Sequence, residues 1–354
     1  MKIREIETPA LILDRVAMEQ NMALMDTLLE GSHMKLYPHY KSHKCPQIAR
    51  MQMARGAAGI TCAKLSEAED LADAGIERIV IANQVVQPSK LARLAALSRR
   101  CGLTVCVDQP ENILALEQAM AAGDGTLGVL VEFEIGMHRC GADPPEEFLK
   151  LAQLVNGQTH LTFEGIQAYA GHLAHERDLT RRKREMDEIE QRVRDLKGFV
   201  EAAGLPVREI AGGSTGTAAL KPKDTVYTQL QTGSYLFMDC AYRALELPFV
   251  HALYLLTTVV SVRPDRIVTD GGVKSLGMDQ GNPEFVGFPK DAAISMSEEH
   301  GAIFTAAADW HVNDKLRYIP GHCCTTINMA DKLYVVEGER VTDVYPVVSR
   351  GKAQ

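Results

Sequence analysis

No run of this chain approaches the roughly 18–20 apolar residues that a membrane-spanning helix needs. The longest apolar stretch, HALYLLTTVVSV at 251–262, is too short and too rich in β-branched residues. The opening MKIREIETPALILD has no apolar h-region and no cleavage signal, so the expected location is cytoplasmic. Low-complexity segments are absent. So is a surplus of positive charge: Lys+Arg is 38 against 46 Asp+Glu, a net charge of −8. That balance argues against nucleic acid or an anionic membrane as the main partner. The 8 cysteines are scattered, apart from the Cys323–Cys324 pair, and do not suggest a disulfide framework. What is present is globular. The 354 residues, 46% of them apolar, suffice for one large α/β domain and a smaller one.

Residues 10–235 alternate short β-branched runs with helical stretches. ALILD (10–14) reads as a strand and RVAMEQNMALMDTLLEG (15–31) as a helix. MKLYPHYK, AGITCA, RIVIAN, TVCVD, GVLVEFE, FEGIQAY and VREIAGG follow as strands, separated by helical segments. About eight such repeats predict parallel β/α units closed into a (β/α)8 barrel. From about 245 the rhythm changes to strands joined by Gly, Pro, Asn and Asp turns, which predicts a mostly β C-terminal domain.

In a barrel, chemistry sits at the carboxyl ends of the strands. Lys41, in YPHYKSHKCPQ, lies where the second strand of the chain ends. A lysine there can form a Schiff base if burial or nearby cations lower its pKa. His39 and His43 stand at i±2 and in a strand would share its face. Lys44 falls at the start of the next helix and reads as a solvated cation. AGGSTGT (211–217) runs from a strand into glycines and hydroxyls, which let backbone N–H groups approach an anion. It lacks the lysine of a nucleotide P-loop, so a single phosphate fits better, although a tight βα connection would look the same. QTGSYLF (231–237) repeats the theme. EIGMHRCG places His138 and Arg139 at a strand end, and IQAYAGH places Gln167, Tyr169 and His172 at the next. With Lys41 these would ring one barrel mouth. In PGHCCTTIN (320–328), His322 and Cys324 at i, i+2 would share a face of an extended segment, with Cys323 opposite. Such a pair can clamp a metal, Zn²⁺ before Mg²⁺, or be a structural histidine beside buried cysteines. SEEHG (297–301) offers Glu298, Glu299 and His300 as ligands, or as a solvated turn.

Taken in order, these motifs resemble the fold-type III pyridoxal phosphate (PLP) enzymes. The group in question is that of D-serine dehydratase, D-threonine aldolase and 3-hydroxy-D-aspartate aldolase. The resemblance runs from TPALILD through PHYKSHK, TCAKLSEAEDL, GMHRCG, IQAYAGH, GGSTGT, LQTGSYLFMD, TDGGVKSL and SEEHG to PGHCCTTIN. It implies an alanine racemase-like barrel over 10–242, a β-rich domain over 1–9 and 243–354, and a homodimer. It implies that Lys41 carries PLP, that Arg139 lies near the cofactor's phenolic oxygen, and that Tyr169 stands beside the ring. His39 and Gln167 join that set. Gly213, Ser214, Thr215, Gly216, Gly233, Ser234 and Tyr235 are implied to hold the phosphate. His322 and Cys324 are implied to bind the divalent metal, with Glu298 near it through water. The implied catalytic residues are Lys41, Tyr169 and Glu298.

The implied activity is lysis at Cβ of a small β-hydroxy-D-amino acid. Dehydration of a D-serine or D-3-hydroxyaspartate type of substrate would yield a keto acid and ammonia. Retro-aldol cleavage of 3-hydroxy-D-aspartate or D-threonine would yield glycine and an aldehyde. The general wording is similar to the 3-hydroxy-D-aspartate aldolases. Those carry H-x-D, suited to Mg²⁺ or Mn²⁺, whereas H-x-C as at Cys324 marks the zinc-dependent dehydratases. The cysteine tips the expectation to dehydration with Zn²⁺. An amino-acid racemase is a further alternative. A non-enzymatic PLP-binding protein would need no second domain. His172, His175, Arg177 and Arg243 are candidates to meet a second substrate carboxylate.

Overall fold

The structure, a computed structural model, describes residues 1–289, 292–307 and 309–354. The chain divides into two compact units. One comprises Met1–Thr27, Ser42–Cys45 and Ser234–Gly351; the other comprises Leu28–Lys41, Pro46–Gly233 and Lys352–Gln354. The first strand, β1 (Ala10–Asp14), belongs to the former.

The second unit holds β2 (Lys35–Leu36), β3 (Ile60–Cys62), β4 (Arg78–Ile81), β5 (Gly102–Val107), β6 (Leu127–Glu132), β7 (Leu161–Ala168), β8 (Glu209–Gly212) and β9 (Gln229–Leu230). All pair in parallel, in the order β2-β9-β8-β7-β6-β5-β4-β3. A parallel bridge between His39 and Thr61, where Thr61 N donates to Pro38 O at 3.0 Å, joins the two edges and closes the barrel. Covered on both faces, these strands are short continuous apolar runs; in β5 every residue from Leu103 to Val107 is buried. Several crossover helices open with proline at their first position, where a missing N–H costs nothing: Pro88, Pro110 and Pro145. The helix Leu65–Asp73 turns Leu65, Ala68 and Leu71 inward at three-residue spacing. Tyr37, Val80, Cys106, Leu130 and Ala211 form one buried layer of the barrel. Truncating Leu130, fully buried there, should cost about 2–5 kcal/mol.

The other unit is mostly β. It adds β10 (Leu253–Arg263), β11 (Arg266–Thr269), β12 (Glu284–Phe285), β13 (Ile294–Met296), β14 (Gly301–Phe304), β15 (Lys315–Ile319), β16 (Lys332–Glu337) and β17 (Arg340–Pro346). Their order is β13-β14-β11-β10-β1-β16-β17, with β15 pairing β10 and β12. Ile3, Ile6, Ile12, Leu256 and Val336 make one of its cores.

Four local expectations change. ALILD, expected to open the barrel, is antiparallel to β10 and parallel to β16, and the barrel opens instead at Lys35. A five-residue apolar run has the same pattern in either sheet. The strand before Lys41 stops at Leu36, ahead of Pro38, which has no N–H to donate. Tyr40–Ser42 forms a 3₁₀ turn, so Lys41 does not share a strand face with His39 and His43. Lys44 is not solvated: it is buried at positive φ, and its ammonium donates to Ser349 O at 3.4 Å. The segment after His322 is not extended, because Cys323–Ile327 is a short helix with His322 at its N-cap.

Candidate active site

Within the barrel unit, residues just beyond the strand ends converge on a cavity of about 210 Å³. His39 and Lys41 come after β2, Asn83 after β4, Tyr169 after β7 and Gln231 after β9, while Glu132 and Gln167 sit near the ends of β6 and β7. Position in each repeat thus dictates membership, as a parallel barrel requires. The Tyr169 ring has the Lys41 ammonium 5.9 Å from its centroid and the Arg139 guanidinium at 5.6 Å. Gln167 Nε2 donates to Gln231 Oε1 at 2.9 Å. That leaves Gln167 Oε1 and Gln231 Nε2 buried without a hydrogen-bond partner among the described residues. Buried polar atoms in that state can bond a ligand or an ordered water.

Arg139 is held by acids that the motifs did not single out. Glu132, only 6% exposed, accepts from Gln84 Nε2 at 2.6 Å and stands 3.6 Å from the Arg139 guanidinium. Burial pushes its carboxyl up from the ordinary value, more strongly than Gln84 and Arg139 pull it down. The loop carrying Arg139 winds around Glu134. Burial acts to raise the Glu134 carboxyl, but the N–H groups of Gly136, Met137, His138 and Arg139 bond it and leave it lowered overall. Gly136, His138 and Gly141 adopt positive φ to make that winding possible, and Gly141 N donates to Asp108 Oδ2 at 3.0 Å.

The glycine turn after β8 is sterically dictated. A Cβ on Gly212 would lie 2.1 Å from Ala168 O, and Gly213 has φ +83° with Leu230 beside it. Ser214 N closes the turn on itself by donating to Thr217 Oγ1 at 3.1 Å. The hydroxyls of Ser214 and Thr217 lie 3.0 Å apart, and those of Thr215 and Thr232 2.7 Å apart. Gly216 completes the turn and Gly233 follows Thr232. Ser234 and Tyr235 fall in the other unit, within a 3₁₀ turn. Tyr235 is buried there, its ring 5.7 Å from that of Phe249.

In that same unit His322 and Cys324 do meet, through a hydrogen bond between imidazole and thiol. His322 Nδ1 pairs with Asp279 Oδ2 at 2.7 Å, and Thr325 Oγ1 donates to Asp279 Oδ1 at 2.7 Å. Burial works against protonation of His322, but Cys324 and then Asp279 outweigh it and raise the imidazole to about 9. Cys324 Sγ also lies 3.4 Å from Ser42 Oγ and 3.6 Å from Ser234 Oγ. Asp239, fully buried, accepts from Tyr242 N at 3.0 Å and Cys323 N at 2.9 Å, which ties down the start of the 323–327 helix. Cys323 is buried. Glu298 is exposed and paired with Lys274 at 3.1 Å. Among the described residues no third His, Cys, Asp or Glu joins the pair in a metal-ready cluster.

Residues 13–241 match the family described as alanine racemase, N-terminal domain, and residues 252–336 match a putative serine dehydratase domain. The chain belongs to the alanine racemase N-terminal domain family. It is 36% identical to a D-threonine aldolase of Arthrobacter sp, over 99% of this chain and 94% of that protein. A 3-hydroxy-D-aspartate aldolase of Paracoccus denitrificans is also 36% identical, over 98% of this chain and 93% of its own length. A D-threo-3-hydroxyaspartate dehydratase of Delftia sp. is 28% identical over 91% of this chain and 92% of its own. The crystal structure of D-threonine aldolase from Filomicrobium marinum superposes with a TM-score of 0.97 at 36% identity, covering 100% of this chain and 98% of that one.

The fold is thus alanine racemase-like, and the chain is an enzyme of the PLP-dependent, D-serine dehydratase-like group within this family. Its residues fit the cofactor: a lysine on the cavity wall, two unsatisfied amide atoms beside it, and a glycine turn that a Cβ would obstruct. The imidazole–thiol pair backed by a carboxylate likewise fits a divalent ion of borderline softness. Glu132, Glu134, Asp239 and Asp279 were not marked by sequence reasoning. Only Asp239 carries a usable local signal, an aspartate immediately before a short helix.

Proposed function

We propose that this protein is a PLP- and metal-dependent lyase that breaks a bond at Cβ of small β-hydroxy-D-amino acids. The observation that carries the reading is the hydrogen-bonded His322–Cys324 pair, with Asp279 fixing the imidazole. A racemase acts only at Cα and has no use for such a pair. Bound PLP would supply an electron sink at Cα, and a divalent ion would supply Lewis acidity at the β-hydroxyl.

Lys41 holds the cofactor through its ε-amino group, and the same amine can carry a proton at Cα. Tyr169 supports the ring against Lys41 and Arg139. Glu132 and the Glu134-centred loop fix Arg139. The 213–216 turn and Gly233 hold the phosphate, with His39 and Gln167 lining the cofactor cavity; Ser234 and Tyr235, which the resemblance adds to the phosphate set, lie in the other unit. His322 and Cys324 hold the ion, for which a thiolate favours Zn²⁺ over Mn²⁺ or Mg²⁺. Glu298 stays an assistant at longer range, since its carboxylate pairs with Lys274. We expect a homodimer in the cytoplasm; no described helix is long and apolar enough to cross a membrane.

Two endings are open to such a site. Retro-aldol cleavage breaks Cα–Cβ, releases an aldehyde, and leaves glycine after a proton returns to Cα. Dehydration removes the α-proton and the β-hydroxyl, and hydrolysis gives a keto acid and ammonia. The 36% identity to two aldolases over nearly the full chain supports cleavage as the first reading. The Cys324 thiol favours dehydration as the second. Incubation with D-threonine, D-serine and both 3-hydroxy-D-aspartate diastereomers, with metal analysis and product identification, tests both. Glycine plus aldehyde supports the first reading, and keto acid plus ammonia moves the assignment to the second. Chelator-insensitive interconversion of enantiomers alone overturns both.

A further inference from the structure

The glycine turn after β8 carries hydroxyls and N–H groups but no charge of its own. Two lysines follow it. Lys223 is exposed, and its ammonium donates to the carbonyls of Leu28, at 3.0 Å, and Glu30. Lys221 is different. It is 9% exposed, and its ammonium has no hydrogen-bond partner among the described residues.

The Lys221 side chain runs back under the turn. Its Cε lies 3.2 Å from where a Cβ on Gly213 would be, and its Nζ sits 3.0 Å from the centroid of the Tyr227 ring. Tyr227 is locked in place, since its hydroxyl donates to Ala168 O at 3.2 Å beside Gly212. The acid nearest in electrostatic effect is Glu190, but its carboxylate is committed elsewhere. It accepts from Thr225 Oγ1 at 2.8 and 3.0 Å, from Val226 N, and from Arg194 at 3.3 Å. Burial lowers the Lys221 ammonium to about 7, offset only by that distant charge. A buried, unpaired ammonium is costly and persists where an anion completes it.

We propose that Lys221 is the buried cation of the phosphate site, paired with the cofactor's phosphate through the Gly213 turn. This rests on the assignment of PLP to the barrel cavity. It adds a charge-assisted contact to a turn that otherwise offers only neutral donors.

The test compares the apo-protein's affinity for PLP with its affinity for pyridoxal, which lacks the phosphate. Lys221→Met should weaken PLP binding on the order of tenfold or more and leave pyridoxal binding unchanged. Lys221→Arg should keep most of the preference for PLP. Equal weakening for both ligands, or no change for either, would overturn the proposal. A measurement on the unaltered apo-protein decides the matter if the variants fail to fold. Reductive methylation with peptide mass mapping should show Lys221 protected by inorganic phosphate while exposed Lys352 is not. Identical modification of Lys221 with and without phosphate would overturn it as well. Wild-type protein that binds neither PLP nor pyridoxal would refute the cofactor assignment itself. Normal PLP binding with no role for Lys221 would refute only this inference.

Discussion

Glu132→Gln should make the cofactor-free protein more stable at neutral pH while it harms the site. The carboxylate is 6% exposed, and burial raises its pKa in the folded state above the ordinary 4.5. A raised carboxyl favours folding only while protonated. Stability is therefore lost as pH rises from the unfolded-state value through the raised folded one. Glutamine has no such charge and can still accept from Gln84, which now bonds Glu132 at 2.6 Å. The ion pair to Arg139 opposes this, but at 3.6 Å and with Arg139 half exposed it contributes little. Burial wins by about 1 kcal/mol, within the usual range for relieving a local conflict. Spread over 354 residues, that shifts Tm by only about 1–2 °C, so a urea midpoint at pH 7.5 is the better assay. The gain should vanish below about pH 4, where both variants are neutral. Cofactor affinity should fall at the same time, because Arg139 loses its orienting carboxylate. A Glu132→Gln variant less stable than wild type at pH 7.5 would show that Glu132 is bound more favourably by Gln84 and Arg139 than the burial argument allows.

Glu134 should behave in the opposite sense. Its lowered carboxyl contributes stability above the ordinary 4.5 that is lost as pH falls through the folded value, and Glu134→Gln should remove about 1 kcal/mol at neutral pH by denaturant titration. Cys324→Ala should lose bound zinc by metal analysis yet keep PLP; unchanged metal stoichiometry would count against the clamp. Asp279→Asn should weaken metal binding about 10–100-fold, read by competition with a chelating dye, because His322 loses the carboxylate that orients it.

The barrel was legible because each β/α repeat announces itself: a run like GLTVCV is mostly apolar and β-branched, and Pro110 marks the helix that follows. The candidate cavity was legible for the same reason, since Lys41, Gln167 and Tyr169 are counted off from strand ends. Pairing partners were not. ALILD has no residue that says which sheet it joins, and it joins the mixed sheet of the other unit, between β10 and β16. Lys44 looked solvated because charge predicts exposure, yet the chain buries it against the Ser349 carbonyl, 305 positions away. The stretch after His322 contains Thr325 and Thr326, which favour strands. A tertiary contact, Cys323 N to Asp239, starts a helix there instead. Single acids such as Glu132 and Asp279 belong to no motif, and only the folded chain brings them to Arg139 and His322.

In the proposed function Lys41, among several lysines of this region, carries the cofactor. Borohydride reduction of the PLP-loaded enzyme, followed by peptide mapping, tests it most directly. A single pyridoxyl label is expected on the peptide containing Lys41, abolished in Lys41→Ala. A label on Lys44 or Lys221, or none on any lysine, would contradict it.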